Sequence, residues 1–185
     1  MNLHCRSIVL IGMMGAGKSS VACCLQERTG LALLDTDEIV ASKFGIPIPE
    51  IFAKHGEKKF REAEIEALRA LAGPKQTIIV TGGGIVLRQE NVEILRRMGV
   101  IVWLDGNKET LFARASRQRN RPLLQTRNPR RAFSQIFDAR RSLYADIADV
   151  RVNTSMLTDE EVAVAILCRL GRVNTRLGSP SRATA

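Results

Sequence analysis

The chain has 185 residues, 45% hydrophobic and 25% charged, with a formal net charge of +9. That length suits one domain with a sizeable core, and no apolar run approaches the roughly 20 residues that span a bilayer. Four cysteines (Cys5, Cys23, Cys24 and Cys168) lack metal-ligand spacing and read as reduced thiols of a cytoplasmic protein without a signal peptide.

In chain order, residues 7–11 read as a short buried strand that runs into Gly12-Met13-Met14-Gly15-Ala16-Gly17-Lys18-Ser19. This segment fits G-x-x-x-x-G-K-[ST], a phosphate-binding loop. Glycines let successive backbone N–H groups turn into one concavity. Lys18 reaches the outer phosphates, and the Ser19 hydroxyl can ligate magnesium. Val21, Ala22 and Leu25 begin a helix that ends near Gly30, and its N-terminus adds partial positive charge where phosphates sit. The motif in this strand–loop–helix setting implies binding of a nucleoside triphosphate.

Residues 31–34 form a second strand ending at Asp35, and residues 48–54 and 57–72 read as helices, the latter stopped by Gly73-Pro74. A third strand, 77–80, runs into Gly82-Gly83-Gly84. The helix 90–98, the strand 100–104, the helix 108–117 and the strand 149–153 follow. Thr158-Asp159-Glu160-Glu161 is a capping box for a last helix expected to close at Gly171. From Asn174 onward the chain is polar and expected to be disordered. Apolar strands alternating with helices imply a parallel sheet covered on both faces. Ligands of such sheets bind beyond the carboxyl ends of the strands, where the polar residues of this chain gather.

Asp35-Thr36-Asp37 places two carboxylates on alternate residues; on an extended segment they face the same way. Beside a magnesium-bound triphosphate, one can hold a metal water while the other orients an acceptor hydroxyl. The other reading is a helix N-cap pair, with Glu38, Ile39 and Val40 starting a helix. Arg61, at the edge of an apolar helix face, reads by itself as a surface partner of Glu64. A glycine triple directly after a strand marks close approach to the backbone or a tight turn. Arg121-Pro122-Leu123-Leu124 lies between helices, where a cover carrying a charge-stabilising arginine would sit. Between Arg114 and Arg141 lie nine arginines against one acid, Asp138. Only Phe133 and Phe137 could stack bases there, and both fit the apolar stripe of a helix, so no nucleic-acid partner is expected.

Together the loop GMMGAGKS, the pair DTD, FREAE, the triple GGG, RPLL and RRSLY resemble the shikimate kinase family, in order, from residue 7 to about residue 170. The resemblance implies a three-layer α/β/α P-loop kinase with a five-stranded parallel sheet in the order 2-3-1-4-5. The domain would run over 1–173, with an acceptor-binding excursion at 37–62, a lid at 116–127 and a tail at 174–185. It further implies a monomer that uses ATP and Mg²⁺ to phosphorylate the 3-hydroxyl of shikimate, on the way to chorismate and the aromatic amino acids. Carried onto this chain, Met14, Gly15, Ala16, Gly17, Lys18, Ser19, Ser20, Arg114 and Arg121 would bind ATP. Asp37, Arg61, Gly82, Gly83, Gly84 and Arg140 would bind shikimate. Lys18, Asp37 and Arg121 would be catalytic, and Ser19 with Asp35 would serve the metal. A kinase for another hydroxy acid, such as gluconate, would also need arginines for its carboxylate; the combination of Asp37, Gly83 and Arg140 favours shikimate. Two departures stand out: Ser142 replaces the family's proline before Leu-Tyr, and residues 153–157 lack its basic residues or proline.

Overall fold

The computed structural model of the protein describes residues 6–71, 73, 75–117 and 121–177, with side chains up to Gly171. The expected ends at Ala72 and Pro74, part of the lid and the tail from 178 lie outside the described residues. Five strands, β1 (Ser7–Ile11), β2 (Ala32–Asp35), β3 (Thr77–Val80), β4 (Gly99–Asp105) and β5 (Val150–Asn153), form one sheet in the order β2-β3-β1-β4-β5. All neighbours are parallel, and Val9 at the centre pairs with Ile79 on one side and Ile101 on the other.

The sequence pattern follows from position in this sheet. β1 and β4 are covered on both faces and are buried at every residue, so they are continuously apolar. β5 at an edge alternates buried and exposed residues, as a strand covered on one face does. Each fully buried Leu or Ile in the centre, such as Leu10, Ile79 and Ile101, contributes about 1.5–3 kcal/mol by leaving water.

The helices are α1 (Lys18–Thr29), α2 (Thr36–Phe44), α3 (Ile48–Leu71), α4 (Gln89–Met98), α5 (Lys108–Ser116), α6 (Pro129–Ile147) and α7 (Asp159–Leu177). α3 is two helices joined at Gly56, whose φ of 77° and ψ of 168° are not helical. α2 and α3 form the excursion and carry a small core of their own: Val40, Ile51, Phe60, Ala63 and Ala67. On α6, Phe133 and Phe137 stack at 6.3 Å and are buried, which accounts for the aromatic pair in the basic segment.

Two expectations are corrected. Asp35-Thr36-Asp37 is not extended throughout: β2 ends at Asp35, which caps α2, and Asp37 lies in the first helical turn. The Asp35 Oδ1 accepts the Asp37 N–H at 2.8 Å, so capping of the exposed helix donors wins over strand alternation. The last helix does not close at Gly171 but continues to Leu177, through the first residues assigned to the tail. Its capping box is as expected, with Thr158 and Glu161 exchanging hydrogen bonds. Gly171 lacks the positive φ of a terminating glycine, and a Cβ there would meet nothing within 4 Å.

This correction is testable. Gly171→Ala should raise stability to urea by about 0.5–1 kcal/mol, because alanine is favoured over glycine inside a helix. A loss of stability would return Gly171 to the role of left-handed cap.

Candidate active site

One cleft of about 850 Å³ opens at the carboxyl ends of the strands. It is lined by the loop after β1, the start of α2, the face of α3, the glycine turn after β3, Arg140 of α6 and the 121–123 segment.

The floor is the phosphate-binding loop. Gly12 (φ 141°) and Gly15 (φ 83°) pass so close to the backbone carbonyls of Leu104 and Leu111 that no Cβ would fit. Gly17, at φ 85°, precedes α1 and offers no side-chain cap. The first helical backbone bond is Val21 N–H to Gly17 O at 2.8 Å. The N–H groups of Lys18, Ser19 and Ser20 are therefore left for an anion. No acid of α1 itself occupies its first turn, although Asp159 of α7 approaches Gly17, its Oδ1 3.0 Å from the Cβ position of that glycine. The Lys18 ammonium donates to Gly12 O (2.9 Å) and Met13 O (3.2 Å). Burial, then the Arg121 charge, lowers its pKa to about 8. Met14, Gly15, Gly17, Ser19 and Ser20 also line the cleft. Ala16 does not: its side chain is buried in the core and its N–H donates to Met13 O at 3.2 Å.

Opposite Lys18 stand three carboxyl groups. Asp35 and Asp37 line the cleft from the β2–α2 junction. The Asp37 Oδ1 is buried without a hydrogen-bond partner, and a Cβ on Gly82 would stand 2.6 Å from it. Burial, then the nearby Asp35, raises the pKa of Asp37, while Lys18, Arg121 and Arg61 draw it back. Glu64 is fully buried. Its Oε2 accepts from Arg61 at 2.5 Å, and its Oε1 has no partner. Burial raises its pKa too, against the pull of Arg61.

Arg61 is buried and is not the surface residue that spacing alone suggests. Burial disfavours its charge, but Glu64 and Glu57 more than offset this and raise its pKa. Glu57 accepts from its Nη2 at 3.0 Å and its Nε at 3.3 Å. Its guanidinium presses on Gly84, where a Cβ would collide with it. The buried Arg140 approaches the same turn, its Nη1 3.7 Å from the Cβ position of Gly83. In the turn, Gly82 N–H donates to Thr36 Oγ1 at 3.3 Å and Gly82 O accepts from Ile85 N–H at 3.1 Å. Among the described residues, the N–H groups of Gly83 and Gly84 have no acceptor.

At the other end, Arg114 grips the loop after β5, donating to Thr154 O at 3.0 Å and Thr154 Oγ1 at 3.4 Å. Arg121 begins the 3₁₀ turn Pro122–Leu124, and its charge reaches Lys18 and Asp37. Every assigned site residue except Ala16 thus lines one cleft. The sequence points to Glu64 only as the i,i+3 partner of Arg61, a pair that forms, and to no role for Thr36 or for Arg117, which also lines the cleft. Glu64 had a signal in the FREAE pattern; Thr36 and Arg117 had none beyond adjacency.

The shikimate kinase family model matches residues 14–170. A shikimate kinase of Thermodesulfovibrio yellowstonii is 40% identical over 169 residues, 91% of this chain and 97% of the relative. One from Symbiobacterium thermophilum is 44% identical over 167 residues, 89% of this chain and 95% of the relative. The shikimate kinase of Acinetobacter baumannii, solved in complex with shikimate, superposes with a TM-score of 0.88 at 34% identity, covering 92% of this chain and 96% of that one. With a family match over most of its length, five parallel strands in the expected order and a phosphate-binding loop at their carboxyl ends, the chain belongs to the shikimate kinase family.

Proposed function

We propose that the chain transfers the γ-phosphoryl group of ATP to the 3-hydroxyl of shikimate, giving shikimate 3-phosphate for aromatic amino-acid biosynthesis. The observation that carries this reading is the buried, partnerless Asp37 Oδ1, near enough to Lys18 for their charges to interact and in the same cleft as Arg61, Arg140 and two free N–H groups. A hydroxy acid fits that set: arginines for its carboxylate, backbone donors and Asp37 for its hydroxyls. The same cleft spans both ends of the transfer, so donor and acceptor meet without a further motion of the sheet.

In this mechanism Asp37 accepts the proton of the attacking hydroxyl as its oxygen bonds to the γ-phosphorus. The bond to the β–γ bridging oxygen breaks, and ADP leaves with that electron pair. Burial raises the basicity of Asp37, which suits this task at neutral pH. Lys18 and Arg121 meet the charge on the transferring group. The Ser19 hydroxyl has no partner among the described residues, and Asp35 lines the cleft with an oxygen beyond the one that caps α2. These two oxygens fit Mg²⁺, which takes few protein ligands beside phosphates and water. Held by these residues, magnesium would supply positive charge that offsets the negative charge of the triphosphate.

We also assign the protein to the cytoplasm as a monomer without nucleic-acid partners. No described helix is long and apolar enough to cross a membrane. Much of the arginine cluster is engaged internally: Arg140 is buried, Arg114 holds Thr154, and Arg130 pairs with Glu109.

An ADP-release assay over shikimate, gluconate and other hydroxy acids tests the substrate; turnover confined to another acid would reject it. Asp37→Asn should lower kcat by at least about 10³-fold with ATP affinity little changed, since only proton acceptance and charge are lost. Turnover near wild type would remove Asp37 from the chemistry.

Arg121→Ala should lower kcat by about 10²-fold or more, while replacing Arg127, Arg130 and Arg131 together leaves kcat within a few-fold. The reverse ranking, with salt-dependent polynucleotide binding lost in the triple variant, would favour a nucleic-acid role for the cluster.

Lys18 gives a pH prediction. With its pKa near 8, about half of the lysine is neutral at pH 8 in the free enzyme. Triphosphate favours the charged form and raises that pKa, so ATP binding between about pH 8 and 9 takes up protons. Calorimetry in buffers of different ionisation enthalpy should record the uptake, and Lys18→Met should abolish it.

A further inference from the structure

Tyr144 does not line the cleft, yet its hydroxyl reaches both sides of the acceptor end. The residue is buried on α6, with its ring stacked on Trp103 at 6.1 Å. Its hydroxyl donates to Gly83 O, 61 residues earlier in the chain. The Arg140 guanidinium, one helical turn before it, approaches the same point: its Nη1 and the Tyr144 hydroxyl lie 3.7 and 3.6 Å from the Cβ position of Gly83. The hydroxyl is therefore bonded to the glycine turn at the point where the buried arginine comes closest to it.

A trans peptide turns this bond into a directional constraint. The Gly83 carbonyl and the Gly84 N–H belong to one peptide plane and point in opposite directions, and the described chain has no cis peptide. Fixing the carbonyl on Tyr144 thus fixes the direction of the Gly84 N–H, on a residue that itself lines the cleft against Arg61. The preceding peptide is set separately, because Gly82 O is held by Ile85 N–H. Glycines have no side chain to anchor such a turn, so the direction of a free N–H depends on what holds its own carbonyl.

We propose that the Tyr144 hydroxyl is a positioning group for the acceptor, orienting the Gly84 N–H and the Arg140 guanidinium together without touching the substrate. This rests on the acceptor reading of the cleft given above. Burial pushes the phenol up to about 12, so the group stays a donor across the working pH range. A purely structural role is the competing explanation, since the ring also fills space against Trp103. The two roles separate in Tyr144→Phe, which keeps the ring and removes the hydroxyl.

The experiment is steady-state kinetics of wild type, Tyr144→Phe, Arg140→Ala and the double variant, with ATP and shikimate varied separately. Tyr144→Phe should raise the shikimate KM by about 10-fold, the usual effect of losing one hydrogen bond to a charged or buried group. Its kcat and ATP KM should stay within about two-fold. In the Arg140→Ala background the same substitution should have a markedly smaller effect, because part of what it positions is already gone. An unchanged shikimate KM overturns the proposal, as does an equal loss in every parameter with a lowered Tm, or full additivity of the two substitutions. Wild-type enzyme inactive on shikimate would instead reject the acceptor reading itself, and the positioning role with it.

Discussion

Three loops converge at Gly12, and the active site depends on their doing so without a side chain between them. The Gly12 carbonyl receives the Lys18 ammonium at 2.9 Å and lies 3.4 Å from the Cβ position of Gly83. A Cβ on Gly12 itself would collide with the carbonyl of Leu104 at the end of β4. This crowding follows from topology. β1 is flanked by β3 and β4, all three parallel, so their carboxyl ends open on one edge. The phosphate-binding loop and the glycine turn are consequently neighbours, as the in-line transfer proposed above would require.

Within that edge the electrostatics are arranged before any ligand arrives. Lys18 is desolvated, which lowers its pKa to about 8; the carboxyls of Asp37 and Glu64 are desolvated, which raises theirs. Groups so displaced are costly to the fold. Their cost is reduced by mutual proximity, since Lys18, Arg121 and Arg61 all favour the ionised form of Asp37. A polyanionic donor bound beside this cluster favours the charged form of Lys18. Low dielectric strengthens each of these contacts.

The sequence made the catalytic skeleton legible because its signals are local. The phosphate-binding loop is contiguous, and the buried strands announce themselves by uninterrupted apolar runs such as residues 100–104. Asp37 was legible as a carboxylate but not as a helical residue. In Asp-Thr-Asp, strand alternation and N-capping predict the same residue types, and only the Asp35 to Asp37 hydrogen bond decides between them. Gly171 misled for the opposite reason. A glycine after an apolar run is a stop signal only if it adopts positive φ, and here it does not. Glu64 is legible as the partner of Arg61 but not as a buried acid, because Gly82, 18 residues away, lies against it. Tyr144 was harder still: its contact with Gly83 spans 61 residues and leaves no periodic trace.

The acceptor end also shows why buried arginines need acids nearby even where an acidic ligand is expected. A guanidinium carries five N–H donors. Arg61 commits three of them, Nε and one each on Nη1 and Nη2, to Glu57 and Glu64. That partnership keeps a buried cation tolerable in the free enzyme, where an unpaired one would cost several kcal/mol. It also fixes the plane of the group, so the two remaining donors keep a constant direction. A carboxylate bound there replaces water and requires little rearrangement of the protein, which lowers the entropy cost of binding. The donor end is built differently: Arg114 and Arg121 are partly exposed, and Arg117 is exposed at the rim. On the function proposed above, selectivity for the acceptor would reside in groups locked into the core, while charge that develops during transfer would be met by Lys18 at the start of α1 and by the partly exposed Arg121 beside the 3₁₀ turn.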